Sequence, residues 1–199
     1  MKDRIVSARP VPTPLMAARA TPSTRWLLAL MGAPGSGKST LGRALGRTLG
    51  WPLIDKDDVR DLLDEATPHA GGLAYEIMFN VARRQLLQGL SVICDSPFAY
   101  RRCDKRAVDI AQETGAALAV VECRCADETT WRQRVEARQA LALPRHHTTD
   151  WAAVQAFQRR TAADVEYPIA HPHLIVDTLT PVPALCAQVV AWLERQSVG

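Results

Sequence analysis

Between residues 32 and 39 the chain reads GAPGSGKS, which fits G-x-x-x-x-G-K-[ST] at every position. Glycines at 32, 35 and 37 let the backbone turn its N–H groups inward around phosphate oxygens. Lys38 would then reach the β- and γ-phosphates of a nucleotide, and the Ser39 hydroxyl would ligate Mg²⁺. Gly32, Ala33, Pro34, Gly35, Ser36, Gly37, Lys38, Ser39 and Thr40 are the expected nucleotide-binding set. A plain Gly/Ser turn would not require a lysine and a hydroxyl at those two positions.

A second charged stretch follows at LIDKDDVR, residues 53–60, where acids crowd behind two aliphatic positions. At the carboxyl end of a strand, Asp57 and Asp58 would face the crevice that holds the γ-phosphate. There, either carboxylate could take the proton of an acceptor hydroxyl. Arg60 could grip the acceptor with its planar fork. The plainer reading of these acids is an N-cap and first-turn complementation of a helix dipole. Asp95 closes VICDSPF and would reach the shell of the Mg²⁺ ion or the acceptor. Arg101 and Arg102 could bind acceptor anions or simply face water. In WRQRVEARQ, Arg134 and Arg138 stand four apart and share a helix face. They could close over the phosphates and supply charge to the transition state, with a solvated helix face as the alternative.

These groups need a scaffold, and the hydrophobic pattern predicts one. Apolar runs at WLLALMG, WPLID, LSVICD, ALAVVECR and HLIVDT alternate with helical stretches at 39–50, 57–65, 75–89, 100–115, 128–139 and 150–160, and a closing helix near 182–196. Such alternation predicts an α/β fold, a parallel sheet covered on both faces. The helices around LALPRHHTT, within 128–160, read as a lid.

The 199-residue chain is 47% hydrophobic and 23% charged, in the range of one ordinary globular domain. Its formal charge of +3 is unevenly distributed: residues 1–25 contribute +4 and leave the body at −1. Those residues, rich in Pro, Ala, Ser and Thr, read as a flexible basic tail or, less readily, as an organelle transit peptide. The domain proper is expected over 26–199. No apolar run of membrane-spanning length occurs, so a cytoplasmic location and no membrane partner are expected. Cys94, Cys103, Cys123, Cys125 and Cys186 are scattered and read as reduced thiols. His146 and His147 fall in the expected lid and could touch substrate, while His171 and His173 flank a proline; none has zinc-ligand spacing.

Taken in order and spacing, GAPGSGKST, DKDDVR, VICDS and RQRVEAR resemble the P-loop kinase group of phage-type polynucleotide 5′-hydroxyl kinase, chloramphenicol phosphotransferase and zeta-toxin-like kinases, over most of residues 26–165. The resemblance implies a P-loop three-layer fold with five parallel strands in the order 2-3-1-4-5. It also implies Asp57 as base, Arg60 as acceptor-binding residue, Asp95 in the active site and Arg138, beside Arg134, as lid arginine. Ser96 and Pro97 depart from the Thr-Asn common in the polynucleotide kinase branch. Asp55 and Asp57 form a D-x-D that resembles shikimate kinase, but no Gly-Gly-Gly element accompanies it. The expected activity is ATP- and Mg²⁺-dependent phosphoryl transfer to a small-molecule hydroxyl. A polynucleotide 5′ end is the runner-up acceptor, and a nucleotide-binding regulator or slow ATPase is the alternative class. Because the basic surplus sits in the tail, nucleic acid is the less favoured partner.

Overall fold

Every residue of β1, Trp26–Met31, is buried, as a strand covered on both faces must be. A computed structural model describes residues 24–140, 150–165 and 167–197. Leu27, Ala29 and Met31 enter one core with Met78 and Phe79 of helix α3 (Ala70–Leu87) and Ile110 of α4 (Arg101–Thr114). Trp26, Leu28 and Leu30 enter the other with Leu41 and Leu45 of α1 (Lys38–Leu49) and Val189 of α7 (Val182–Gln196). The period-2 alternation of one strand thus feeds two cores.

Beside β1 lie β2 (Leu53–Asp55), β3 (Val92–Asp95), β4 (Ala117–Arg124) and β5 (His173–Asp177). All pairings are parallel and the order is β2-β3-β1-β4-β5, as expected from the sequence. Three more helices complete the described elements: α2 (Lys56–Leu63), α5 (Glu128–Ala140) and α6 (Trp151–Val165).

Helix α3 departs from its expected start at 75, beginning at Ala70 and running through Gly71 and Gly72. Glycine is a poor helix former. Tertiary packing outweighs that preference here, because Ala70 and Ala74 are buried and the His69 carbonyl accepts from the N–H groups of Gly72 and Leu73.

Arg25, assigned by composition to the tail, is tied into the domain. Its guanidinium donates to the Leu86 carbonyl at 3.2 Å and the Thr114 carbonyl at 2.7 Å, near the carboxyl ends of α3 and α4. Its own carbonyl accepts from the Ala117 N–H at 2.7 Å. One cation thus caps two helix termini and begins the sheet.

Candidate functional site

Between β1 and α1 the loop turns through three positive φ angles, 142° at Gly32, 78° at Gly35 and 95° at Gly37. Gly35 is also held by space: a Cβ there would stand 2.5 Å from Val135 Cγ2 and 3.1 Å from Trp131 Nε1, both on α5. Trp131 Nε1 donates to the Pro34 carbonyl at 2.9 Å, and Trp151 of α6 packs edge-on against its ring at 5.2 Å. Helices α5 and α6 are therefore fastened to the loop between β1 and α1 through indoles. Lys38, in the first turn of α1, is buried and donates to the Ala33 carbonyl at 3.0 Å. Burial pushes its pKa below the usual lysine value, opposed by the nearby Asp95 carboxylate.

Parallel pairing sets the carboxylates side by side. Asp95 at the end of β3 is in register with Asp55 on β2 and Leu30 on β1. Asp95 is 1% exposed, and its Oδ2 has no hydrogen-bond partner among the described residues. Burial, and then the charge of Asp95, pushes the Asp55 carboxyl up to about 6. Asp55 also caps α2, accepting from the Asp57 N–H at 2.9 Å. The N-cap role among these acids thus falls to Asp55.

Asp57 is part-exposed, and its Oδ1 is ion-paired with the buried ammonium of Lys56. The sequence reading assigned Lys56 no role. Arg60 is half-exposed, with its Nε 3.5 Å from Asp64 Oδ1 one turn on. Asp58 points elsewhere: it is exposed and lines neither of the two cavities described next.

A cavity of about 660 Å³ lies against the start of α1 and includes Thr40, Arg43, Arg134 and Thr178 in its wall. A second, of about 350 Å³, is lined by Lys56, Asp57, Arg60, Asp95, Phe157 and Arg160 among others. Gly35, Lys38, Ser39 and Arg138 belong to both walls. Arg138 therefore sits where the two cavities meet, its pKa depressed by burial and by Arg43, and its charge favoured by Asp57, Asp95 and Asp55. Arg134 lines only the larger cavity, and its donors go to Thr178, at 3.0 Å to the hydroxyl and 2.9 Å to the carbonyl. It fastens α5 to the end of β5.

A Mg²⁺ ion fits these residues. The orphaned, buried Asp95 Oδ2 lies in the lining that also holds Ser39, an all-oxygen donor set suited to a hard cation. No group of three or more His, Cys, Asp or Glu side chains able to hold a metal occurs among the described residues, so phosphate oxygens would have to complete the coordination.

Other expected candidates lie apart from the cavities. His146 and His147 fall outside the described residues. His171 Nε2 is 3.0 Å from Asp104 Oδ1, and His173 Nε2 is 3.1 Å from Glu122 Oε2. Arg101 and Arg102 are exposed, and Arg102 rests 4.8 Å from the Tyr100 ring centroid. All five cysteines are unbridged, four of them buried. No helix among the described residues is long and apolar enough to cross a membrane. Sequence reasoning missed Arg160 and Phe157, which reach the site, with Ala153 and Ala156, through the placement of α6.

Comparison with known proteins agrees with this fold. A candidate kinase from Chloroflexus aurantiacus superimposes with a TM-score of 0.69 at 24% identity, covering 84% of this chain and 98% of that one. The Mycobacterium tuberculosis APS kinase, solved in complex with AMPPNP and APS, gives 0.60 at 15% identity over 86% of this chain and 98% of its own. At these identities the likeness is one of fold. The shikimate kinase of Corynebacterium glutamicum is 40% identical over 60 residues, 30% of this chain and 34% of that enzyme. The chain thus spans about a third of the length of the curated relatives it matches. With the model of the AAA domain family AAA_33 matching residues 27–181, most of its length, this chain belongs to that family.

Proposed function

We propose that the protein is an ATP- and Mg²⁺-dependent kinase that transfers the γ-phosphoryl group to a hydroxyl of a small-molecule acceptor. The observation that carries this reading is the shared wall of the two cavities: a donor and an acceptor would meet at Lys38, Ser39 and Arg138. A regulator or a simple ATPase has no need of a second cavity opening on the γ-phosphate. The resemblance to the phage-type polynucleotide kinase, chloramphenicol phosphotransferase and zeta-toxin group, and the local likeness to shikimate kinase, support the same class. The modest volume beside Asp57 favours a small molecule over a polynucleotide end.

In this mechanism the loop amides and Lys38 bind the β- and γ-phosphates. Ser39 and Asp95 would hold Mg²⁺, which supplies charge neutralisation on the phosphates when bound. Asp57 accepts the proton of the acceptor hydroxyl as its oxygen bonds to the γ-phosphorus and the bridging bond to ADP breaks. Lys56 fixes the Asp57 carboxylate and gives it orientation. Arg138, on the lid formed by α5 and α6, offsets charge on the transferring group, and Arg60 holds the acceptor. Arg134 acts as a positioning residue through Thr178.

The test is a screen of γ-labelled ATP against hydroxylated metabolites, antibiotics and 5′-hydroxyl oligonucleotides. With the acceptor found, Asp57→Asn lowers transfer by about 10² to 10⁴ and retains ATP binding, while Asp58→Asn costs little. Full transfer by Asp57→Asn would refute the base assignment. Hydrolysis of ATP with no transfer to any acceptor would favour the ATPase reading.

A further inference from the structure

The cavity beside Asp57 carries more positive charge than its own acids balance. Lys38, Lys56, Arg60, Arg138 and Arg160 line it, against Asp57, Asp64 and Asp95. Lys56 is committed to Asp57, and Arg60 leans on Asp64. Lys38 and Arg138 face the larger cavity as well, where nucleotide phosphates would engage them. Arg160 is different. It belongs to the smaller cavity, its guanidinium carbon stands 5.7 Å from the Phe157 ring centroid, and no carboxylate is paired with it among the described residues. A guanidinium held over an aromatic face, with its in-plane donors unspent, is shaped for a planar or tetrahedral oxyanion.

Two further observations narrow the ligand. Ser96, buried beside the Tyr75 hydroxyl, belongs to the same wall and adds no charge to it. The volume of about 350 Å³ lies at the small end of ligand pockets, which run from about 300 to 1,000 Å³. Apolar wall is limited to short patches such as Pro97, Ala153 and Phe157.

We infer that the acceptor is a small hydroxylated acid, whose anionic group is bound by Arg160 with help from Arg60 while its hydroxyl meets Asp57. This rests on the kinase reading for the hydroxyl and on the charge of the cavity for the acid. A carboxylate and a phosphate ester share the required oxygens, and the experiment separates them.

The full chain, saturated with Mg²⁺ and a non-hydrolysable ATP analogue, is titrated calorimetrically with three matched sets: sugar acids, sugar phosphates, and the neutral sugars and polyols of the same skeletons. At least one acid or phosphate binds tenfold or more tightly than its neutral counterpart, and whichever set does so identifies the anion. Arg160→Gln erases that preference, Arg160→Lys restores part of it, and affinity for the ATP analogue stays the same in both. Equal binding of the neutral counterparts, a preference that survives Arg160→Gln, or no binding by any acid or phosphate overturns the inference. Transfer of labelled phosphate is scored separately. Transfer to neutral polyols alone removes the acid and leaves the kinase; selective acid binding without transfer removes the kinase and leaves the anion site.

Discussion

At the scale of single residues, Asp55 caps α2 with a carboxyl that is itself partly buried beside Asp95. Its carboxyl is held near 6 by burial and by Asp95, against an unfolded value of 3.8. Between those values the folded state binds more protons at this group than the unfolded one, so its contribution to stability is fully present below about 3.8 and is lost as pH rises through about 6. At neutral pH the ionised form destabilises the fold, by about 1–2 kcal/mol after allowance for partial solvent screening. Asp55→Asn keeps a side-chain oxygen for the α2 cap and removes the charge. Urea denaturation at pH 7 should therefore show the variant more stable than wild type, with the difference shrinking toward pH 4. An advantage that is constant with pH would assign the gain to the cap instead. Lys56 shows the same logic in reverse. A buried ammonium is tolerated only because Asp57 accepts it, so Lys56→Met should free the base and disorder its position together. The kinetic signature is a fall in kcat with little change in the KM for ATP.

At the scale of elements, Trp131 connects α5 to the loop between β1 and α1, and on the proposed function that connection should bear on nucleotide binding. Trp131→Phe preserves most of the ring contact with Trp151 but removes the hydrogen bond to the Pro34 carbonyl, a loss of about 1 kcal/mol. Because that bond joins α5 to the loop, ATP affinity should drop by about fivefold, which corresponds to about 1 kcal/mol of coupling. Calorimetry with a non-hydrolysable analogue reads this directly, and unchanged affinity would show that the lid docks independently of the nucleotide. Gly35→Ala is harsher: with φ at 78° and Val135 2.5 Å from the added carbon, the loop and α5 cannot both keep their places. Nucleotide binding should fall by tenfold or more in the same assay.

At the scale of the whole molecule, Arg25 ties together α3, α4 and the start of the sheet. Arg25→Ala removes the guanidinium from two helix-terminal carbonyls, of which Leu86 keeps the Gly89 N–H as a donor, and should cost about 1–3 kcal/mol in chemical denaturation. A change below about 0.5 kcal/mol would mean that solvent replaces the guanidinium without penalty. The same residue shows where reading the chain stops. Composition assigned Arg25 to the tail because a boundary drawn from Pro, Ala and Ser content cannot sense contacts 61 and 89 residues away. The phosphate loop, by contrast, is one contiguous octapeptide, and its chemistry was legible at once because the backbone turns it needs are local. The parallel sheet was legible too, since short apolar runs alternate with helices, while its strand order came from the resemblance to P-loop kinases. Asp57, Arg60 and Asp95 could be nominated because strand ends bear ligands in such sheets. What only the tertiary structure decided is which of these groups meet. Parallel register put Asp55 beside Asp95; the first turn of α2 sent Asp57 inward and Asp58 to solvent; and the docking of α6 delivered Arg160 to a cavity whose other walls lie up to 126 residues earlier, at Pro34. Local sequence specifies turns, caps and periods, whereas convergence of distant side chains depends on how whole elements pack, a quantity that no short window of residues contains.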